Sequence, residues 1–376
     1  MTLLWQDPGQ PTNPMKAQVH AFIIGVGDYP HLSGGSGHAA VANFGLQQLT
    51  TTRIAAEEIA TWLIRNRSSL SLPLGTVEVL MSPSGTMSDG QGNSVSIDEA
   101  SMQNIDDVFS QKWWPRCNAQ KDNIALFYFA GHGLNTLSQY LLPSDFGDPQ
   151  FPNLWANCID FDGMRLGMKA NAADTQLFFV DACREKPIDA LAQLNPSGKQ
   201  LCSSSIFDQV SASAAYFAAA DGQQAYGPAN GMTYFAEALL ESLEGAGAIN
   251  RGGQWKVDTF SLGNSVAQIM ASLAHAHSQP LTCNPDVQGV PASICTAPAG
   301  LVRASIGCQT SLANSEADIQ LQRFTQQVHS PPGDRRPWTG RLDAGDWAIN
   351  IGFQSFAPVA VTDTLMPPVY DRVEAV

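Results

Sequence analysis

The stretch 124-IALFYFAGHGLN-135 decides the fold class of this chain, because an unbroken apolar run ends abruptly in Gly-His-Gly. A run without polar alternation is typical of a strand that is covered on both faces. Similar runs occur at 20–29, 76–82, 175–182 and 214–220, and helical patterns at 54–64, 232–245 and 259–277. Strands that alternate with helices predict an α/β fold with a mostly parallel sheet flanked by helices. In such folds, chemistry is expected at the carboxyl ends of the strands.

His132 is the first candidate functional residue, because a buried strand has no need of a histidine at its end. The flanking Gly131 and Gly133 allow the close backbone approach that a ligand-facing loop requires. A hydrogen-bonded core histidine is the alternative. A second apolar run, 177-LFFVDACRE-185, breaks into polar residues at Cys183 in the same way. If the two strands are neighbours, the imidazole and the thiol lie at one edge of the sheet.

A thiol next to an imidazole predicts nucleophilic catalysis. The thiolate attacks a carbonyl carbon, and the imidazole takes the thiol proton and later protonates the leaving amine. The oxyanion that forms needs fixed N–H donors, and the backbone amides of Gly133 and Cys183 are the expected ones, because both lie in the turns that carry the reacting groups. Taken alone, Cys183 is equally compatible with an ordinary buried thiol.

The segments FYFAGHG and FFVDACRE resemble the histidine and cysteine motifs of caspase-like cysteine peptidases, which include caspases and metacaspases. The first strand, FIIGVGDY, and the segments 215-AYFAAADGQQAY-226 and 231-GMTYFAEALLESL-243 resemble other parts of this family in the same order. The resemblance covers roughly residues 18 to 300. It implies a caspase-like sheet and a cysteine endopeptidase whose catalytic dyad is His132 and Cys183.

Asp181 is the expected determinant of specificity. Animal caspases carry Gln-Ala-Cys-Arg-Gly or a near variant where this chain has Asp-Ala-Cys-Arg-Glu at 181–185. An acid at this position resembles metacaspases, in which it helps to bind a basic residue before the scissile bond. A carboxylate in a partly desolvated pocket also prefers Arg or Lys on physical grounds. A simple turn-capping role for Asp181 is the alternative.

Metacaspases supply a second aspartate at a position that aligns here with Ala55. Asp28, Glu57 and Asp221 are the candidates to replace it, so the predicted substrate-binding residues are Asp181, Asp28 and Asp221. Arg53 keeps acidic specificity open as the second possibility.

The segment after Cys183 is polar and rich in turn residues, and in many relatives the corresponding linker is cut during activation. With basic specificity, the candidate sites for self-cleavage are Arg184, Lys186 and Lys199. Lys199 is expected to be the best exposed, since it follows Pro-Ser-Gly. An ordinary surface loop is the alternative.

Charge and hydropathy exclude some functions and locations. The formal net charge of −14 argues against nonspecific nucleic-acid binding, which needs Lys and Arg to displace counterions. No apolar run approaches the roughly 20 residues of a membrane span, and the N-terminus lacks the pattern of a secretory signal. A cytoplasmic protein without a membrane partner is therefore expected, and its seven cysteines are expected to be mostly free thiols.

Three regions are predicted along the chain: an N-terminal extension at 1–17, the peptidase domain at 18–300 and a mainly β C-terminal domain at 301–376. Within the last region, 315–329 is expected to be helical, 331–337 to be a loop, and 338–353 and 358–376 to form hairpin-built β structure.

No cofactor is expected. Calcium dependence stays possible because loops carry acidic residues, but no EF-hand spacing or other metal site is indicated. The expected partner is a protein substrate. For a bacterial protein, the resemblance would imply regulated cell death or phage defence, with a gasdermin-like pore former as substrate. A catalytically silent caspase-like module that binds proteins is the alternative function; the intact His and Cys motifs favour the enzyme.

Self-processing predicts that cleavage at Lys199 depends on Cys183. We expect the purified protein to be cut there and the Cys183→Ala protein to stay intact, as judged by mass spectrometry of the fragments. If the Cys183→Ala protein is still cut at Lys199 by itself, the cleavage is not self-processing.

Overall fold

The computed structural model describes residues 2–9, 16–40, 43–151, 153–186, 197–203 and 210–376. Within these residues, a seven-stranded sheet forms the centre of the molecule. Its spatial order is β1 (Leu3–Gln6), β3 (Leu74–Ser82), β2 (Val19–Val26), β6 (Ile124–Gly131), β10 (Thr175–Ala182), β11 (Ala212–Phe217) and β14 (Asn284–Gly289). The five inner strands are parallel, and β1 and β14 are antiparallel edges.

Helices cover both faces of this sheet. One face carries α1 (Thr52–Arg65), α5 (Tyr234–Glu241) and α6 (Thr259–His277), and the other carries α2 (Met102–Val108), α3 (Trp114–Cys117) and α4 (Phe161–Met168). In β2, Ala21 and Ile23 pack on the first side and Phe22 and Ile24 on the second. Burial on both sides explains why these strands are mostly apolar and do not alternate with polar residues, and the predicted fold class is confirmed.

Short helical turns of other types accompany these α-helices. Phe109–Trp113 and Ser242–Ala246 are π-helical turns that continue α2 and α5, and Leu154–Asn157 is a 3₁₀ turn. Among the described residues, none of the helices combines the length and the apolar character that crossing a membrane requires.

Small sheets lie around the central one. In the described part of the chain, β4 (Gly85–Ser88) pairs with β5 (Ser94–Ile97), and β13 (Gln254–Asp258) lies between β12 (Ile249–Arg251) and β15 (Ser293–Ala297). The third group, β7 (Gly133–Asn135), β8 (Gln139–Leu141) and β9 (Ile159–Asp160), begins directly after His132.

The C-terminal region consists of two facing sheets with a short helix, α7 (Ser311–Glu316). One sheet has the order β19 (Trp338–Asp343), β16 (Leu301–Cys308), β22 (Val369–Glu374). The other has the order β18 (Gln326–Ser330), β17 (Asp318–Arg323), β20 (Gly345–Gly352), β21 (Val359–Leu365). Apolar side chains from both sheets form a separate core that includes Ile306, Ile319 and Trp347.

The prediction of a helix at 315–329 is wrong. The helix α7 ends at Glu316, and the following residues form the antiparallel pair β17–β18. In β17, Ile319 and Leu321 are buried and Gln320 is exposed. This alternation has the period of a strand, and its short length hid it within an apparently helical pattern.

Two further segments have strand pairings that the sequence alone did not indicate. The segment 280–289 contains the edge strand β14, antiparallel to β11. The segment 338–353 is not one hairpin, because β19 pairs with β16 whereas β20 pairs with β17 and β21. The hairpins of this region are β17–β18 and β20–β21, and 331–337 connects strands of the two sheets.

The alternation in β17 predicts opposite outcomes for adjacent substitutions. Ile319→Ala empties part of the C-terminal core and should lower the free energy of unfolding by about 2–5 kcal/mol. Gln320→Ala, on the exposed side, should change it by less than about 0.5 kcal/mol. Urea unfolding followed by circular dichroism measures both. Equal effects at the two positions would contradict the observed register.

Candidate active site

The parallel pairing of β6 with β10 brings His132 and Cys183 together. Gly131 is paired with Ala182 in the register, and each candidate catalytic residue follows its paired residue directly. Both side chains line one cavity of about 280 Å³, together with Asp181. The imidazole, the thiol and a carboxylate therefore share a cavity at the carboxyl edge of the sheet.

The glycines beside His132 permit close packing of the two strand ends. A Cβ atom at Gly133 would lie 2.5 Å from the carbonyl oxygen of Cys183 and 2.7 Å from Nε2 of Gln139. At Gly131 it would lie 2.8 Å from Oη of Tyr29. Neither glycine has a positive φ. Close approach, and not an unusual backbone dihedral, is thus the reason for glycine at these two positions.

The surroundings of His132 fix the ring and its tautomer. The backbone amide donates to Oη of Tyr29 at 2.8 Å, and the two rings pack with centroids 4.9 Å apart. Nε2 lies 2.6 Å from the backbone carbonyl oxygen of Gln47. A carbonyl only accepts, so the proton of the neutral ring is on Nε2 and Nδ1 keeps its lone pair. The nitrogen that remains available for proton transfer is Nδ1.

Burial keeps both members of the pair neutral at rest. It lowers the pKa of His132 to about 4, although the carbonyl of Gln47 acts in the opposite direction. It raises the pKa of Cys183 to about 11, although the amide of Ala225, which donates to Sγ at 3.3 Å, acts against this rise. Desolvation disfavours the charged form of each group. Near neutral pH the site therefore holds a thiol and an imidazole rather than a thiolate–imidazolium pair.

Asp181 has one satisfied and one free carboxylate oxygen. Its side chain is 2% exposed. Oδ2 accepts hydrogen bonds from Tyr128 Oη at 2.9 Å and from the hydroxyl of Thr233, whereas Oδ1 is buried and has no partner among the described residues. Burial raises the pKa of this carboxyl to about 6, so it is mostly ionised at neutral pH. A buried carboxylate with an open acceptor position favours a cationic or hydrogen-bond-donating ligand.

The other proposed substrate-binding acids lie outside this cavity. Asp221 is paired with Lys186 and accepts from Nδ2 of Asn135 at 2.5 Å. Asp28 is half-buried, and its backbone is hydrogen-bonded to Ser82. Neither residue is among those that line the cavity with Asp181.

Arg53 and Glu57 are bound to each other. Their side chains form an ion pair of 2.8 Å one turn apart on α1, and neither lines the cavity. The cation that would recognise an acidic substrate is thus engaged elsewhere.

The candidate cleavage residues are each held by tertiary contacts. The guanidinium of Arg184 packs over the ring of Phe217 at 4.4 Å and donates to the side chain of Gln139. Lys186 is paired with Asp221, and Lys199 with Asp106 at 2.7 Å. Most of the connecting segment, 187–196 and 204–209, lies outside the described residues.

The sequence patterns did not indicate four residues of the site: Tyr29, Gln47, Tyr128 and Thr233. Only Thr233 had a detectable signal, because a threonine before the apolar pattern of α5 is a typical helix cap. Its hydroxyl accepts from the amide of Ala236 and donates to Asp181. The carbonyl of Gln47 has no side-chain signature at all. In the described ranges, His, Cys, Asp and Glu side chains form no group of three that could hold a metal ion.

Residues 18–287 match the model of the caspase domain family, Peptidase_C14. The chain belongs to the caspase-domain family. Membership supports a caspase-like cysteine peptidase, a hydrolase, and the resemblance found in the two sequence motifs is confirmed.

One curated relative is the uncharacterized protein y4kE of Sinorhizobium fredii, 27% identical over 212 residues, which cover 55% of this chain and 60% of that protein. Caspase-1 of Spodoptera frugiperda is a similar solved structure, with 14% identity and a TM-score of 0.43 over 75% of this chain and 93% of the other. The structure of pro-sf-caspase-1 has 16% identity and a TM-score of 0.41, over 75% and 96%.

The neutral resting state predicts the pH dependence of thiol alkylation. Because iodoacetamide reacts with the thiolate, the labelling rate of Cys183 should rise about tenfold per pH unit through neutrality toward its pKa of about 11. Peptide mass spectrometry measures the labelling rate of Cys183. Cys202 is an internal control, because it is a free thiol outside the site whose pKa burial raises to about 12. A rate for Cys183 that is already constant between pH 6 and pH 8 would indicate a preformed ion pair instead.

Proposed function

We propose that this protein is a cysteine endopeptidase that uses a His132–Cys183 dyad and cleaves after Arg or Lys in a protein substrate. The observation that carries the proposal is the shared cavity, in which the imidazole and the thiol lie beside a buried carboxylate with a free oxygen. Family membership supports the peptidase part of the proposal. The preference for a basic residue rests on Asp181.

The proposed reaction begins from the neutral pair. Sγ of Cys183 attacks the scissile carbonyl carbon as its proton passes to Nδ1 of His132, and the imidazolium then protonates the leaving amine. The amides of Gly133 and Cys183 are the proposed donors to the oxyanion. Nδ1 of His132 then takes a proton from a water molecule, which attacks the thioester carbonyl; the acid product leaves, and the same proton passes to Sγ of Cys183 and regenerates the thiol. The carbonyl of Gln47 orients the ring and stabilises the transient imidazolium through Nε2–H.

The charges near the cavity favour a basic over an acidic substrate residue. Within the described part of the chain, no Lys or Arg lines it, and Arg53 is neutralised by Glu57. A substrate guanidinium or ammonium would supply the donor that Oδ1 of Asp181 lacks. An acidic side chain would place a second negative charge beside a buried carboxylate, which is strongly unfavourable.

We expect cleavage of the chain by its own active site to be slower than cleavage of a separate, extended substrate. A peptidase of this kind needs an extended substrate backbone, but the backbone of Lys199 is bonded on both sides: its amide donates to Cys158 and its carbonyl accepts from Asp160. Cleavage at Lys199 therefore requires this strand pairing to open, and cleavage at Arg184 or Lys186 requires loss of their side-chain contacts. A role in cell death or phage defence, with a gasdermin-like substrate, is supported by the family resemblance alone.

The carboxylate of Asp181 predicts the effect of its removal on substrates with arginine before the scissile bond. In Asp181→Asn, kcat/KM for such peptides should fall about ten- to a hundredfold, since a charge-assisted hydrogen bond becomes a neutral one. Asp28→Asn, outside the cavity, is the matched control and should stay within about twofold. Fluorogenic peptides of otherwise identical sequence provide the measurement.

The pH profile of the same assay separates charge from structure. The carboxyl of Asp181 is protonated below its pKa of about 6, so wild-type kcat/KM for the arginine peptide should decline as pH falls through 6. That decline should be absent for Asp181→Asn. A basic preference that survives in Asp181→Asn would assign the specificity to another residue.

A further inference from the structure

A second cavity lies between the peptidase domain and the C-terminal sheets. It has a volume of about 640 Å³ and is lined by α6, by β16 and by the connection that precedes β19. None of its lining residues belongs to the candidate active-site cavity. The volume falls in the range of small-molecule binding sites, about 300–1,000 Å³.

The lining of this cleft is basic, although the chain as a whole carries a net charge of −14. Three of its side chains are arginines: Arg303, Arg335 and Arg336. Arg303 is neutralised by Glu237 and Glu241 at 3.1 and 2.8 Å. Among the described residues, no carboxylate forms a direct ion pair with Arg335 or Arg336. The carboxylate of Asp334 reaches Arg336 only through the hydroxyl of Ser330, which bonds to both side chains. The cleft therefore contains two positive charges that no direct ion pair neutralises.

Arg336 is held in place by neutral acceptors. Its guanidinium donates to the carbonyl oxygens of Ala317 at 2.6 Å and Pro331 at 2.9 Å, and to the hydroxyl of Ser330 at 3.0 Å. These bonds fix the plane of the group and leave its charge in place. Its two terminal nitrogens already donate to protein acceptors, and among the described residues its buried Nε has no partner. Arg336 therefore contributes a fixed positive charge to the cleft rather than free N–H donors.

Two histidines of α6 add donors on the opposite wall. His275 and His277 both line the cleft, and the ring of His277 packs on Tyr234 with centroids 4.7 Å apart. Asp371, the one carboxylate among the described lining residues, lies near His275 and Arg303. Cationic and N–H donors thus face the cavity from both domains, with a single acid to oppose them.

We propose that this cleft binds a small molecule that carries phosphate groups, with the exposed Arg335 as its direct anchor and Arg336 as a fixed positive charge nearby. A long nucleic acid does not fit the same evidence, because the negative charge of the rest of the chain would repel its backbone. The bound molecule contacts α6 and the C-terminal sheets together, and so it links the two parts of the chain.

Isothermal titration calorimetry of the full chain tests the proposal, with inorganic pyrophosphate and ATP as probes. We expect one site per chain and a Kd that rises about tenfold in Arg335→Gln. Arg335 is exposed, so this substitution should not affect folding. Arg65→Gln removes the same charge from an exposed position at the end of α1, outside the cleft, and should leave the Kd unchanged. Asp371→Asn removes the opposing carboxylate and should lower the Kd about threefold.

The outcomes distinguish the ligand and can overturn the proposal. Equal affinity for the two probes indicates recognition of phosphate alone, and tighter binding of ATP indicates that the cleft also contacts the nucleoside. Absence of binding by both probes, or equal weakening by Arg335→Gln and Arg65→Gln, contradicts the site. Weaker binding in Asp371→Asn contradicts it as well. The measurement can be made in a Cys183→Ala background, so its result is independent of any peptidase activity.

Discussion

The backbone pairing of β6 with β10 is the constraint on which the candidate site depends. With Gly131 opposite Ala182, the next residue of each strand is a potential catalytic group. A shift of one residue in this register would send one of the two side chains to the other face of the sheet. Such a shift is costly because the strands are long, apolar and buried on both faces. At the ends of the two strands, the absence of a side chain at Gly133 avoids a steric clash with the backbone of Cys183.

Burial shifts the pKa values of the three ionisable groups in that cavity: it lowers the pKa of His132 and raises those of Cys183 and Asp181. It favours the neutral imidazole, the neutral thiol and, in part, the protonated carboxyl. The thiol and imidazole are thereby kept as a neutral pair that becomes charged only during reaction. Asp181 has two hydroxyl donors on one oxygen, which offset part of the cost of its ionisation. Of these three groups, Asp181 is therefore the one that is charged near neutral pH, and it is also the group proposed to recognise the substrate.

The helix α5 connects this cavity to the C-terminal region. At its start, Thr233 caps the helix and binds Asp181. Along its length and in the turn that follows, Glu237, Glu241 and Glu244 form ion pairs with Arg303 and Arg341 of the C-terminal sheets. Glu241 is almost fully buried, so loss of its arginine partners would leave a costly unpaired charge. The ion pairs with the C-terminal region therefore help to stabilise α5 within the caspase domain.

The sequence by itself determined the α/β class and pointed to His132, Cys183 and Asp181, because apolar runs with polar ends are local patterns. It misjudged β17, where six residues are too few to separate a strand period from a helical one. The tertiary structure decided that Asp28 and Asp221 do not line the cavity that contains Asp181, and that Arg53 is bound to Glu57. It also decided the tautomer of His132 through the backbone carbonyl of Gln47, and it assembled a basic cleft from α6 and the connection before β19. These features join residues far apart in the chain, and many of them involve backbone atoms that every residue type shares. Only packing brings them together, so no local pattern records them.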